Sequence, residues 1–214
     1  MVSRLLLLFL ILPIHTYSQK KIVDDVYADQ PISSTRDSSK ESYFHKKFEE
    51  GYVVLLNNTI KKGLVKFNGD VLFKQTKESK QQKYKAKKLA SFVIDRDTFV
   101  TALVATYTLP NPNYAPSKSL NFIKQLVSGR LSLHYMLIRT ISGFGYATTS
   151  SFTRNYYISN STDGEYHLIP TKKKEFINLL STILADDPNL VSEIKRGDLR
   201  YNDLPVIVER YNQR

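Results

Sequence analysis

The chain has 214 residues, 42% hydrophobic and 12% aromatic, with 31 Lys and Arg against 20 Asp and Glu for a formal net charge of +11. That is apolar material enough for a packed core and length enough for one domain with an appendage, which excludes a disordered chain. Cysteine is absent, which excludes disulfides, thiolate metal sites, a catalytic thiol and the lipid-bearing cysteine of a lipoprotein.

Residues 1–18 read as an export signal. Arg4 supplies the positive start, residues 5–14 are apolar apart from Pro13, and Thr16, Tyr17 and Ser18 offer small residues at the two positions that a signal peptidase reads. Spanning a bilayer takes about 20 apolar residues, roughly twice this run, so the expectation is removal and a mature chain starting at Gln19. The mature chain is then exported, periplasmic or extracellular. A cysteine-free exported chain of this length suits the bacterial envelope better than a bridged eukaryotic secretory protein. No later run approaches a span, and the helical pattern of the last residues is unlike an outer-membrane barrel.

Residues 19–42 form a flexible leader. From 28 to 42 Ile32 is the one strong apolar residue among Ser33, Ser34, Thr35, Ser38, Ser39 and Ser42, too little to offset the entropy of ordering. A β-rich domain follows over 43–169. Its first run, 51–56, is ended by Asn57 and Asn58. Runs 60–67 and 70–74 flank Asn68 and Gly69, a two-residue hairpin signal in which both positions tolerate positive φ. Runs 89–94 and 98–108 fold back at Asp95, Arg96 and Asp97. Pro110, Pro112 and Pro116 break the pattern across a loop.

Runs 121–127 and 131–139 join through Ser128, Gly129 and Arg130. In the second, Leu131, Leu133, Tyr135 and Leu137 alternate with Ser132, His134 and Met136, so one face is buried. Runs 151–158 and 166–169 make a last hairpin turned at Asp163 and Gly164. The sequons at Asn57 and Asn160 fall at turns, where Asn and Thr serve turn chemistry.

From 170 to 214 the period becomes helical. Thr171 is placed to cap a helix with Phe176, Leu179, Leu180 and Ile183 on one stripe. Asp187 and Pro188 start a second that Gly197 stops, and Asp203 opens a third carrying Leu204, Val206, Ile207, Val208 and Tyr211. Short amphipathic helices need something to pack on. The fold class is therefore α+β: an antiparallel β-meander, folded as a sandwich or partly open barrel, with three short C-terminal helices packed on it.

Three stretches carry a resemblance: 51–54 through Lys62 and Gly63, 126–133, and Lys174, Glu175 and Phe176 onward to Arg210, Tyr211 and Asn212. Their order resembles a loose group of exported Bacteroidetes proteins with a secretion signal, a β-domain and a helical tail. The resemblance implies that localisation and architecture, and lends no catalytic residue.

Catalytic motifs are missing. His45, His134 and His167 stand in no ligand spacing, so no metal site is expected, and no cofactor motif is present. His134, opposite the leucine face, reads as a partly exposed, merely packed imidazole. No Gly-x-Ser-x-Gly elbow marks a hydrolase. Asp95 and Asp97 form the one tight acidic pair of the β-domain, and both read as turn residues.

The basic run is more concrete. Lys74, Lys77, Lys80, Lys83, Lys85, Lys87 and Lys88 face Glu78 alone in charge. Lys77, Lys80, Lys83, Lys85, Lys87 and Lys88 are candidates for contact with polyanions or an anionic membrane surface, or else a solvated edge that discourages strand pairing between molecules. Lysine without arginine suits no specific nucleic-acid recognition. Among the flanking tyrosines Tyr107, Tyr114, Tyr146, Tyr156 and Tyr157, most are explained as half-buried strand formers; Tyr107 and Tyr114, beside the proline loop, are candidates for ligand stacking.

The expected function is a non-catalytic binding or structural module of the envelope whose partner is an unidentified envelope protein or polymer. One alternative is a hydrolase with an Asp/His site not visible in the sequence. The other is a peripheral binder of anionic lipid or polyanion through the lysine loop. Clustering of Asp95, Asp97 and His134 or His167 in a cleft favours the enzyme; a flat lysine face favours the membrane.

Overall fold

Among the described residues, alternating side chains and turn residues set ten strands before three α-helices. The computed structural model describes residues 43–106, 117–144, 147–160 and 164–214. The strands are β1 (His45–Leu55), β2 (Ile60–Phe67), β3 (Val71–Lys74), β4 (Gln82–Tyr84), β5 (Leu89–Ile94), β6 (Asp97–Thr106), β7 (Ser117–Val127), β8 (Leu131–Phe144), β9 (Ala147–Asn160) and β10 (His167–Leu168). They form one open antiparallel sheet in the order β10-β9-β8-β7-β6-β5-β1-β2-β3-β4. The order departs from the chain's sequence once, where β5 pairs with β1 instead of β4.

Register decides the faces. Val53 lies opposite Phe92, Phe92 opposite Phe99, Phe99 opposite Lys124, Lys124 opposite Tyr135 and Tyr135 opposite Tyr156, so all share one face. Three strands separate β2 from β7, which in a flat sheet puts them about 19 Å apart. Yet the rings of Phe67 and Phe122 are 5.9 Å apart. The sheet therefore curls around this face. Phe92 and Phe99 stack at 4.7 Å within it, and the Tyr43 hydroxyl donates to the Phe122 carbonyl at 2.8 Å. Each buried ring stabilises the fold by about 1.5–3 kcal/mol.

Part of the other face of β6–β9 is buried as well, through Ala102, Val104, Ile123, His134, Met136 and Tyr157. Three strands again intervene between β10 and β6, yet the two lie side by side, and the Tyr157 hydroxyl reaches the Ala105 carbonyl at 3.1 Å. The C-terminal half of the sheet thus curls around the opposite face. That corrects the expectation for His134, which is 3% exposed. Tyr156 and Tyr157 are core residues too, and neither is open for stacking.

Two turns differ from expectation. Phe67 pairs with Val71, so the Asn68-Gly69 connection has three residues and only Gly69, at φ +105, needs the left-handed region. The two-residue turn is at Asp95 and Arg96, because Ile94 pairs with Asp97 and Asp95 has φ 52. Asp97 is consequently a strand residue.

Helix α1 (Lys173–Ile183) buries Phe176 and Leu180, but its N-cap is Lys172 and Thr171 does not cap it. Helix α2 (Pro188–Arg196) starts as expected: Asp187 Oδ1 accepts the Leu190 N–H at 2.9 Å, and Gly197 ends the helix at φ 88. Helix α3 (Leu204–Asn212) buries Leu204, Ile207, Val208 and Tyr211 against β7 and β8. The Asp203 carboxylate accepts the Arg200 N–H at 2.8 Å and makes no cap bond to α3. Asn212 clamps Leu131, accepting from its N–H at 2.9 Å and donating to its carbonyl at 2.7 Å. Any side chain at Gly129 would collide with that amide.

Candidate functional site

Charge gathers in two places, one buried and one open. The buried place begins at the first residues of β1 and β6. Four residues along a regular strand span about 13 Å, but β1 shifts register between His45 and Glu49. That irregularity lets His45 Nδ1 meet Glu49 Oε2 at 2.5 Å while its Nε2 meets Asp97 Oδ2 at 2.9 Å. Lys124 Nζ donates to the same Asp97 oxygen at 2.7 Å. Lys124 is fully buried, Asp97 nearly so, and Glu49 opens to solvent.

Carboxylates accept and do not donate, so with both ring nitrogens on carboxylates His45 carries both protons. Its pKa is raised, first by the bond to Asp97; burial opposes this, and Glu49 adds to the rise. The cluster is then two cations against two anions. Asp97 Oδ2 takes both cations, and Lys124 has no exposure through which to meet a substrate. What it does physically is tie β1, β6 and β7 together. The expectation that Asp97 serves a turn beside Asp95 is overturned by this geometry.

The histidines are not brought together. His134 lies on the other face of the sheet, its ring 5.2 Å from that of Tyr166. Burial alone pushes its pKa down to about 3, so it is neutral, and its Nδ1 finds no hydrogen-bond partner among the described residues. His167 lines a cavity of about 550 Å³ between α1, α3 and the sheet, with Arg130, Leu131, Ile158, Leu179 and Tyr211. Arg130 is engaged there, stacked on Tyr211 at 4.4 Å and paired with Asp186 at 2.6 Å. Asp95 is exposed at its turn. No cleft joins Asp95, Asp97 and either of these histidines among the described residues.

The open place is the lysine edge. Lys77, Lys80, Lys83, Lys85, Lys87 and Lys88 are all exposed, on β4, the loop before it and the 3-10 turn Ala86–Lys88 after it. β4 is the last strand of the sheet. Lys83 pairs with Asp70 at 2.6 Å. Register adds cations the sequence reading missed: Tyr52 lies opposite Lys62, Leu64 opposite Lys74, and Leu72 between Lys66 and Lys83. Lys62, Lys66, Lys74 and Lys83 therefore share the outer face, with Lys66 and Lys74 both over the Phe48 ring, at 6.0 and 5.4 Å. The hairpin at Gly69 and period two were the signals that could have placed Lys62 and Lys66. Tyr107, Tyr114 and Tyr146, like the export signal and leader, lie outside the described residues.

No protein-family model, curated protein or solved structure matches the chain.

Proposed function

We propose that the chain is an exported, non-catalytic binding module of the bacterial envelope that engages anionic surfaces through the lysine face of β2–β4. The observation that carries this reading is the register-aligned set Lys62, Lys66, Lys74 and Lys83, continued by exposed Lys77, Lys80, Lys85, Lys87 and Lys88. Glu50, opposite Leu64, and Asp70, paired with Lys83, are acids beside that set. The apolar run behind Arg4 supports export. The non-catalytic part is supported by the His45–Asp97–Lys124 cluster, whose acid–base groups are engaged with one another. Lysines bind as hydrated point charges, so the attachment is weak, salt-sensitive and little selective among polyanions.

The test is binding to a heparin-like polymer at increasing salt. Binding should fall steeply as salt rises, and Lys80, Lys83, Lys85 and Lys87 changed together to Gln should remove most of it. A parent chain that ignores the polymer at low salt would overturn the reading, as would equal binding by the quadruple variant.

A further inference from the structure

We infer that the β1–β2 hairpin tip is an anchor for an anionic lipid surface, with Leu56 and Ile60 entering the acyl boundary and the surrounding lysines meeting lipid phosphates. This deepens the lysine-face reading and rests on it. Leu56 is 51% exposed and Ile60 39%, while Val53 and Val54 just behind them are buried. The tip is tight: the Leu55 N–H donates to the Thr59 carbonyl and the Asn58 N–H to the Leu55 carbonyl, both at 2.9 Å, with Asn58 at φ 63. Asn57 and Asn58 satisfy the turn, so nothing in the fold requires large apolar side chains on either side of it.

Cations surround this end. Lys61 and Lys62 follow Ile60 directly. Leu55 pairs with Leu89, which places the 3-10 turn Ala86–Lys88, with exposed Lys87 and Lys88, beside the tip. Leu64 pairs with Lys74, so β3 leaves the sheet toward the Ile60 end of β2, and the loop that follows brings exposed Lys77 and Lys80 to that end. Glu78 is the opposing charge in that loop.

Two chemistries on one tip select the partner. A dissolved polyanion satisfies the ammonium groups but offers Leu56 and Ile60 no apolar phase. A bilayer with anionic head groups offers both, and lysine stems reach from apolar depth to the phosphate level.

The chain has no tryptophan, so Leu56→Trp installs a single reporter in the full chain. With phosphatidylglycerol vesicles its emission should shift to the blue and be quenched by lipids brominated on the acyl chain. Phosphatidylcholine vesicles should do neither. A second reporter, Val206→Trp, sits at an exposed position on α3 and should stay unshifted. The pair Leu56→Ser and Ile60→Thr should weaken vesicle binding about tenfold and leave binding to the heparin-like polymer unchanged. Vesicle binding without a shift at 56, or undiminished in the pair variant, overturns the anchor and leaves the lysine-face reading standing. An equal shift at 206 overturns it too. Binding to neither vesicles nor polymer overturns both.

Discussion

Lys124 and Lys83 each pair with one aspartate, at 2.7 Å to Asp97 and 2.6 Å to Asp70, and their surroundings differ in nearly every other respect. The side chains of the first pair are 0% and 9% exposed, those of the second 55% and 38%. At equal distance the dielectric decides. Water screens the exposed pair to about 0–1 kcal/mol and replaces either partner when it is lost. Burial removes that replacement, so the Lys124 pair contributes little net stability over an apolar substitute yet is costly to break. The same residue type thus holds strands together in one region and stays available for partners in the other.

The sharpest way to break the comparison is Lys124→Met. It keeps the length of the side chain and leaves Asp97 ionised with His45 as its cation, so the loss should be about 3–5 kcal/mol in denaturant unfolding. A loss below about 1 kcal/mol would mean that water reaches the cluster and that the two lysine regions are alike.

Histidine sharpens the same contrast, because the half-buried His45 is paired and the buried His134 is not. His134 is pushed down to about 3 by burial, so below the unfolded value near 6.5 the unfolded chain binds a proton that the folded chain refuses. Stability is therefore lost as pH falls from 6.5 toward 3, by about 2–3 kcal/mol at pH 4.5 from this group. His134→Leu should flatten that acid limb in unfolding midpoints; an unchanged slope would show that His134 is hydrated. His45 works with the opposite sign. Its raised pKa gives stability that is full below about 6.5 and is lost as pH rises through the folded value. His45→Gln should cost about 1–2 kcal/mol at pH 6 and progressively less at higher pH, leaving the acid limb alone. Equal cost at pH 6 and pH 9 would place the proton elsewhere.

Most local signals were legible, although Thr171 and Asp203 do not cap their helices, and long-range ones were not. Hairpins at Gly69 and at Asp95 and Arg96, the Asp187 cap and the Gly197 stop depend on neighbours in sequence, and they were found within a residue or two. The His45–Asp97–Lys124 cluster joins three strands whose approach depends on β5 pairing back to β1. Nothing in the run from Asp95 to Asp97 distinguishes a turn of three residues from one of two, yet that single step moves Asp97 from a turn into the core. His134 was misread for a related reason: alternation along β8 shows one apolar face, while the burial of the other depends on β10 returning beside β6. The lysine run was legible as charge. Its continuation through Lys62 and Lys66 needed the register.

The smallest effect belongs to the open edge. Lys80, Lys83, Lys85 and Lys87 are exposed, and Lys83 is the one with an ion pair given by the geometry, to Asp70. Changing all four to Gln removes that pair, worth about 0–1 kcal/mol at the surface, and also relieves repulsion among cations crowded on one edge. The two changes oppose each other, so the quadruple variant should unfold within about 0.5 kcal/mol of the parent. Salt should narrow even that difference, since both terms are screened. The measurement is a pair of denaturant titrations at low and high salt, made on the same variant whose polymer binding is tested. A shift beyond about 1 kcal/mol in either direction would make the edge part of the fold's support, and any lost binding would then report unfolding instead of lost contacts.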